Sequence, residues 1–243
     1  MTNSLSLDAI ALPDTSHAVL RTETQPARGP GAGAEVNAGA LLVFGPGLPA
    51  TSKSDVSESL LLAQLAANTA LDRYASTTEW FAKVTSTLGK IGWVSSMSAT
   101  SGSTTEEPPL DWRAIAGKSF GAMFGSAAAP MEAAIAAAGR VPAGSDAARL
   151  WASQTFAADQ GRGLFLLAYA DADRSGSVTL ALMATGFTLT SADAPILTWA
   201  SAASISQAAL TLTLDTDVYD RVRAQITTKL GSRAATEIRA VPL

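Results

Sequence analysis

Apolar positions recur at helical spacing most clearly between Asp55 and Trp93. Leu61, Leu62, Leu65 and Ala66 fall on one helix face, and Asp55 followed by Glu58 has the form of a capping box that would start it. Phe81, Val84, Leu88 and Ile91 repeat the stripe behind a second box, Ser76 with Glu79, until Gly92 ends the run before Trp93. The linker around Tyr74 to Ser76 is short. The spacing therefore predicts an antiparallel helical hairpin delivered straight into a strand.

From Trp93 to Thr100 the period changes to two, with Trp93, Ser95, Met97 and Ala99 set against a more polar face, as in a half-buried strand. A turn-rich acidic loop follows to Pro109. Asp111 then caps a predicted helix to Phe124 anchored by Trp112, Ile115, Phe120 and Phe124. Beyond Pro130 come an alanine-rich helix from Met131 to Gly139 and another from Ser145 to Gln160 with Leu150, Trp151 and Phe156 on its buried face. Leu164 to Ala170 and Val178 to Leu189, joined by DADRSGS, give the clearest hairpin pattern. Both faces of these runs are apolar, which places them inside a sheet covered on two sides. Ile196 to Trp199 and Ile205 to Leu214 are expected to extend that sheet. A helix from Asp217 to Leu230, capped by Gly231, and a strand from Thr236 to Val241 close the chain.

The first 50 residues behave differently. Prolines 13, 26, 30, 46 and 49 break them, PARGPGAGAE reads as a loop, and only Ala18 to Thr22 and Ala40 to Phe44 suggest strands. The organisation expected is a proline- and glycine-rich arm, residues 1–50, packed on one α+β domain, residues 51–243. The fold class is α+β, an antiparallel β-sheet packed against the helical hairpin and a helical middle segment.

Composition narrows the function classes. A net charge of -4 over 243 residues supplies no basic field for phosphates, so nucleic acid is excluded as a partner. With no cysteine, the chain forms no disulfide, thiolate nucleophile or zinc-thiolate site. No uncharged run reaches the ~18 to 20 residues of a spanning helix, and the N-terminus lacks the basic and apolar regions of a signal peptide. The expectation is a soluble protein, not an integral membrane one, resident in the cytoplasm or exported without a classical signal peptide.

The motifs that resemble chemistry each lack a part. Gly117, Lys118 and Ser119 imitate the end of a phosphate loop, but Trp112 stands where its first glycine belongs. Asp171, Asp173, Ser175 and Gly176 imitate a calcium loop whose closing glutamate position is Leu182, so a polar hairpin tip is the better reading. His17 is the single histidine, too few for a triad or a histidine metal site. The pairs Glu106 with Glu107 and Asp215 with Asp217 fit loop and cap positions. No catalytic residue, cofactor site or metal site is therefore assigned, and no cofactor is expected. Gly117, Gly121 and Gly125 line one side of a helix beside Phe120, Met123 and Phe124, a pattern that lets another backbone come close. These six residues are the candidate ligand or partner surface, with peripheral membrane contact and homo-oligomerisation both open.

The run SLLLAQLAANTALDRYASTTEWFAKVTSTLGKIGW, through Leu61 to Asn68, Asp72, Trp80, Leu88, Gly92 and Trp93, resembles the Evf-like proteins, named for the Erwinia virulence factor. The order of later parts, a hairpin opening at Gly163 and a closing helix with Tyr219 and Arg223, is similar too. The resemblance implies a mixed α and β fold and bacterial virulence or host association. In some relatives it also implies a fatty acyl thioester on a cysteine, which cannot be carried over here, so a lipid would have to be held non-covalently. The reading is a non-catalytic binding protein of host-association or virulence type, taking an apolar or acyl ligand or a protein partner. A lipid- or acyl-processing enzyme and a structural component of a larger assembly are the alternatives.

Overall fold

The computed structural model describes residues 7–13, 32–106, 110–189, 198–199 and 202–243. Its elements in chain order are β1 (Gly33–Asn37), β2 (Ala40–Phe44), α1 (Ala50–Ala70), α2 (Thr77–Lys90), β3 (Trp93–Glu106), β4 (Leu110–Asp111), α3 (Trp112–Phe124), α4 (Ala128–Ala138) and α5 (Asp146–Thr155). There follow β5 (Phe156–Ala157), β6 (Arg162–Ala172), β7 (Val178–Leu189), β8 (Thr198–Trp199), β9 (Ala203–Leu214), α6 (Thr216–Asp220), α7 (Arg223–Leu230), α8 (Arg233–Glu237) and β10 (Ile238–Val241).

The sheet runs β10-β1-β2-β6-β7-β9-β3, with β5 paired on β6, and it is covered by helices on both faces. This is the α+β class that the periodicities predict. Alternation along β6 explains the two layers: Leu164, Leu166 and Ala168 point to α1 and α2, while Phe165 and Leu167 point to α3 and α5. The pair β6 with β7 is antiparallel over its whole length, Arg162 opposite Thr188 through Ala172 opposite Val178. One pair departs from the expected antiparallel sheet, since β2 lies parallel to β6. The chain leaves β2 through the long α1–α2 layer and returns across the other face, and such a crossover permits parallel neighbours. Residues 33–44 thus lie inside the sheet as β1 and β2.

The hairpin α1–α2 lies on one face as expected, but α1 starts earlier than its capping box suggests. It begins at Ala50 behind Pro49, which makes no side-chain cap, and Asp55 sits a turn inside the helix. Being buried on almost every side, α1 carries apolar residues around its circumference and not as a stripe. In α2 the N-cap half of the box is present, the Ser76 hydroxyl accepting a bond from the Glu79 N–H. Trp80 is fully buried and donates its indole N–H to the Asn68 amide oxygen at 2.8 Å, tying the two helices together. The N-terminus of α2 reaches the sheet closely at Gly186, where a Cβ would lie 1.7 Å from the Thr77 hydroxyl.

Other boundaries differ for local reasons. Pro130 falls in the first turn of α4, where its missing N–H costs nothing, so the helix starts at Ala128. The helix expected to Gln160 stops at Thr155, because Phe156 and Ala157 pair with Gly163 and Arg162. The expected closing helix divides at Arg221 and Val222 into α6 and α7. The strand expected from Thr236 starts only at Ile238, after α8. Thr198 and Trp199 pair with Asp111 and Leu110 and not with the main sheet. The strand expected at Ala18 to Thr22, Ile196, His17 and Glu107 lie outside the described residues.

Together α3 and α4, Trp112–Ala138, are long and apolar enough by composition to cross a membrane. Here they fold back on each other. Gly125 breaks the run with φ of 28°, and a Cβ on Gly117 would meet the Glu132 side chain at 3.5 Å.

Candidate functional site

The face covered by α3, α4 and α5 holds a cavity of about 380 Å³ that is partly open to solvent. Its floor is the sheet edge, Val36 of β1, Leu41 of β2 and Val241 of β10. Ala147, Ala148 and Ala152 of α5 form the roof, and Ala138, Val141 and Ala143 at the end of α4 and its loop form one side. Trp112 and Trp151 close the other side, with ring centroids 5.9 Å apart and both rings near Phe165.

The sequence makes this space by contrast of size. Ser145 caps α5 through the Ala148 N–H, which fixes the helix over β1 and β10. Two tryptophans and Phe165 then prop it, while the alanines between them are too small to reach the sheet. A cavity lined in this way loses the dispersion contacts that close packing would give, so its retention has to be offset elsewhere in the core.

All eleven lining residues are apolar. The Trp112 indole N–H is itself buried, so it presents no accessible donor. No nucleophile, general acid or base belongs to the lining. The volume lies within the ~300 to 1,000 Å³ typical of small-molecule sites and well above the ~150 Å³ of a dry cavity that accepts benzene.

The six candidate residues from the sequence lie elsewhere along the same helix. Gly117 and Gly121 face α4, and a Cβ on Gly121 would stand 3.3 Å from that of Ala128. Phe120 is fully buried, with the Phe124 ring 4.7 Å away. Met123 and Phe124 are half-buried against the same cluster, and Gly125 is exposed at the turn. None of the six lines the cavity; α3 contributes Trp112, one helix end away. The lining residues were missed because they come from six separate segments. The usable signal was the pairing of tryptophans with alanines at Trp112, Ala147, Ala148, Trp151 and Ala152.

The remaining motifs have structural places. Gly117, Lys118 and Ser119 are inside α3 and form no loop. The Asp173 carboxylate accepts bonds from the Ser175 hydroxyl and from the Ser177 and Ser175 N–H groups, and these bonds, the hydroxyl's first, hold it below its ordinary carboxylate range, so the hairpin tip is an Asp-centred turn. Asp171 turns away, accepting from the Tyr169 hydroxyl at 3.0 Å and the Gly47 N–H at 3.2 Å. Burial, then that bond, pushes Tyr169 up to about 12. Among the described residues no group of three histidine or carboxylate side chains converges as a metal shell.

A second polar cluster is sealed inside the opposite layer. Gln64 donates to the Asn37 carbonyl and accepts from the Gly39 N–H, pinning the β1–β2 turn in which Ala38 takes φ of 48°. Arg73 is buried across the Trp80 ring, its guanidinium 4.8 Å from the centroid, and desolvation lowers it to about 10. Neither group reaches the cavity lining.

No protein-family model matches the chain, and no curated protein matches it. The solved structure of the Evf virulence factor is similar at 13% identity and a TM-score of 0.33, over 82% of this chain and 79% of that one.

Proposed function

We propose that this protein binds an apolar small molecule in the cavity beneath α5 and does not transform it. The observation that carries the reading is the lining: eleven apolar residues around about 380 Å³, with two tryptophans in the wall. Apolar area removed from water contributes roughly 25 cal/mol per Å², so filling such a space supplies binding free energy without any polar anchor. Acyl transfer or hydrolysis would need a nucleophile with a base in reach, and the lining has neither. The reading selects the ligand-binding form of the sequence-based expectation over the protein-partner form, since the glycine series of α3 is turned to α4.

Native mass spectrometry of the purified protein, before and after organic extraction, tests it. A bound mass that extraction removes, and that an added apolar compound restores, is the expected result. A chain that stays at its bare mass in the presence of apolar compounds contradicts the proposal.

A further inference from the structure

The cavity under α5 is partly open to solvent, and an arginine, Arg239, is buried beside its floor. We infer that the ligand is a single-chain amphiphile whose apolar tail fills the cavity and whose oxyanion head, a carboxylate or a phosphate monoester, binds Arg239. This rests on the cavity's being a ligand site and names the class of ligand it takes.

The register of the sheet brings Arg239 to the floor. It lies opposite Val36 in the β1–β10 pair, and Val241 follows two residues on, so the three side chains share one face while Ile238 points to the other. Val36 and Val241 both line the cavity. Opposed side chains in such a pair start about 5 Å apart at Cβ, within the span of an arginine. Arg239 itself is not part of the lining, because its Nη1 is held back by the Ala235 and Ile238 carbonyls at 2.6 and 2.7 Å. Binding therefore requires the outer bonds of this side chain to turn toward Val36.

The hydrogen bonding of this arginine is incomplete. The residue is only 7% exposed, yet Nε and Nη2 have no hydrogen-bond partner, and among the described residues no carboxylate pairs with it. Nε and Nη2 form an edge of the guanidinium that can receive both oxygens of a carboxylate or phosphate. Two other arginines of this chain use the same edge, Arg113 on Asp111 and Arg223 on Asp55. A buried cation without a counter-charge is destabilising, so an oxyanion that completes it is held more tightly than a neutral head on the same tail.

Calorimetric titration of the full chain at pH 8 compares decan-1-ol, decanoate and decyl phosphate, probes with one tail and different heads, each below its aggregation concentration. The expected result is saturable binding of all three, with at least one anion about tenfold or more tighter than the alcohol; the tighter anion identifies the head. In Arg239→Gln that ratio should fall to about 1 or below, while decan-1-ol binds as it does to the parent and so shows that the cavity is intact. Arg239→Lys keeps the charge without the fork and should show a reduced ratio, which carries the decision if Arg239→Gln does not fold. Equal or tighter binding of decan-1-ol by the parent, or a ratio unchanged in a folded variant, would overturn the assignment while leaving the cavity a ligand site. Binding of none of the probes by the parent would overturn both.

Discussion

Arg223 of α7 holds Asp55 of α1 through two parallel bonds, Nε to Oδ1 at 2.8 Å and Nη2 to Oδ2 at 2.9 Å. The Asp55 side chain is only 10% exposed, and its backbone carbonyl accepts the Tyr219 hydroxyl at 3.1 Å. One residue of the central helix is therefore gripped by two residues of the closing helical segment. Asp55, through its hydrogen bond above all, raises the Arg223 pKa above its already high ordinary value, so the guanidinium keeps its charge.

Because the Arg223 side chain is 45% exposed, solvent screening moderates the pair. Arg223→Met should lower stability by about 1 to 2 kcal/mol in urea denaturation, much of it from leaving Asp55 half-satisfied. Arg223→Lys should recover only part, since an ammonium cannot bridge both oxygens. An unchanged urea midpoint for Arg223→Met would show that the clamp contributes nothing.

Gly121 and Gly117 should respond oppositely to added side chains. Gly121→Leu forces a bulky group against Ala128, already 3.3 Å from a bare Cβ, and should cost roughly 1 to 3 kcal/mol. Gly117→Ala meets only the flexible Glu132 side chain at 3.5 Å and should be neutral or stabilise by up to about 1 kcal/mol. Thermal melts decide. A Gly121→Leu protein that melts with the parent but changes in self-association or liposome flotation would place this helix face at an outer surface.

Asp111 caps α3 and pairs with Arg113, and that side-chain bond lowers its pKa. A depressed folded-state pKa gives stability that is present above the unfolded value of about 3.9 and lost as pH falls through the lower folded value. Asp111→Ala should thus cost about 1 kcal/mol near pH 7. The gap to the parent should close as pH drops below the carboxylate range. A gap that stays constant from pH 7 to pH 3 would exclude the ionic contribution.

Features written in neighbouring residues were legible in the sequence. The Ser76 and Asp111 caps, the start of α5 behind Ser145 and the two-sided apolar runs of β6 and β7 each depend on a few adjacent side chains. Asp55 misled because an Asp followed by Glu58 has the same local form inside a helix as at its start; the true start, behind Pro49, carries no side-chain signal. Whether Asp55 faces Arg223 is decided 168 residues away. The parallel pairing of β2 with β6 is hidden for the same reason, because it depends on where a long crossover returns. The cavity was least legible of all. A void is an absence of volume, and the alanines around it look in sequence like ordinary helix formers.

Titration with the uncharged fluorophore N-phenyl-1-naphthylamine tests the binding cavity most directly, run in parallel on the parent and on a double variant, Ala148→Leu with Ala152→Leu, that fills the space beside Trp151. The account predicts saturable enhancement with the parent, and affinity at least about tenfold weaker in the double variant, as expected when a pocket is occupied by the protein's own side chains. The variant's melting temperature should be equal or higher, since the added leucines enter empty volume. No saturable binding by the parent, or equal binding by a folded double variant, would contradict it.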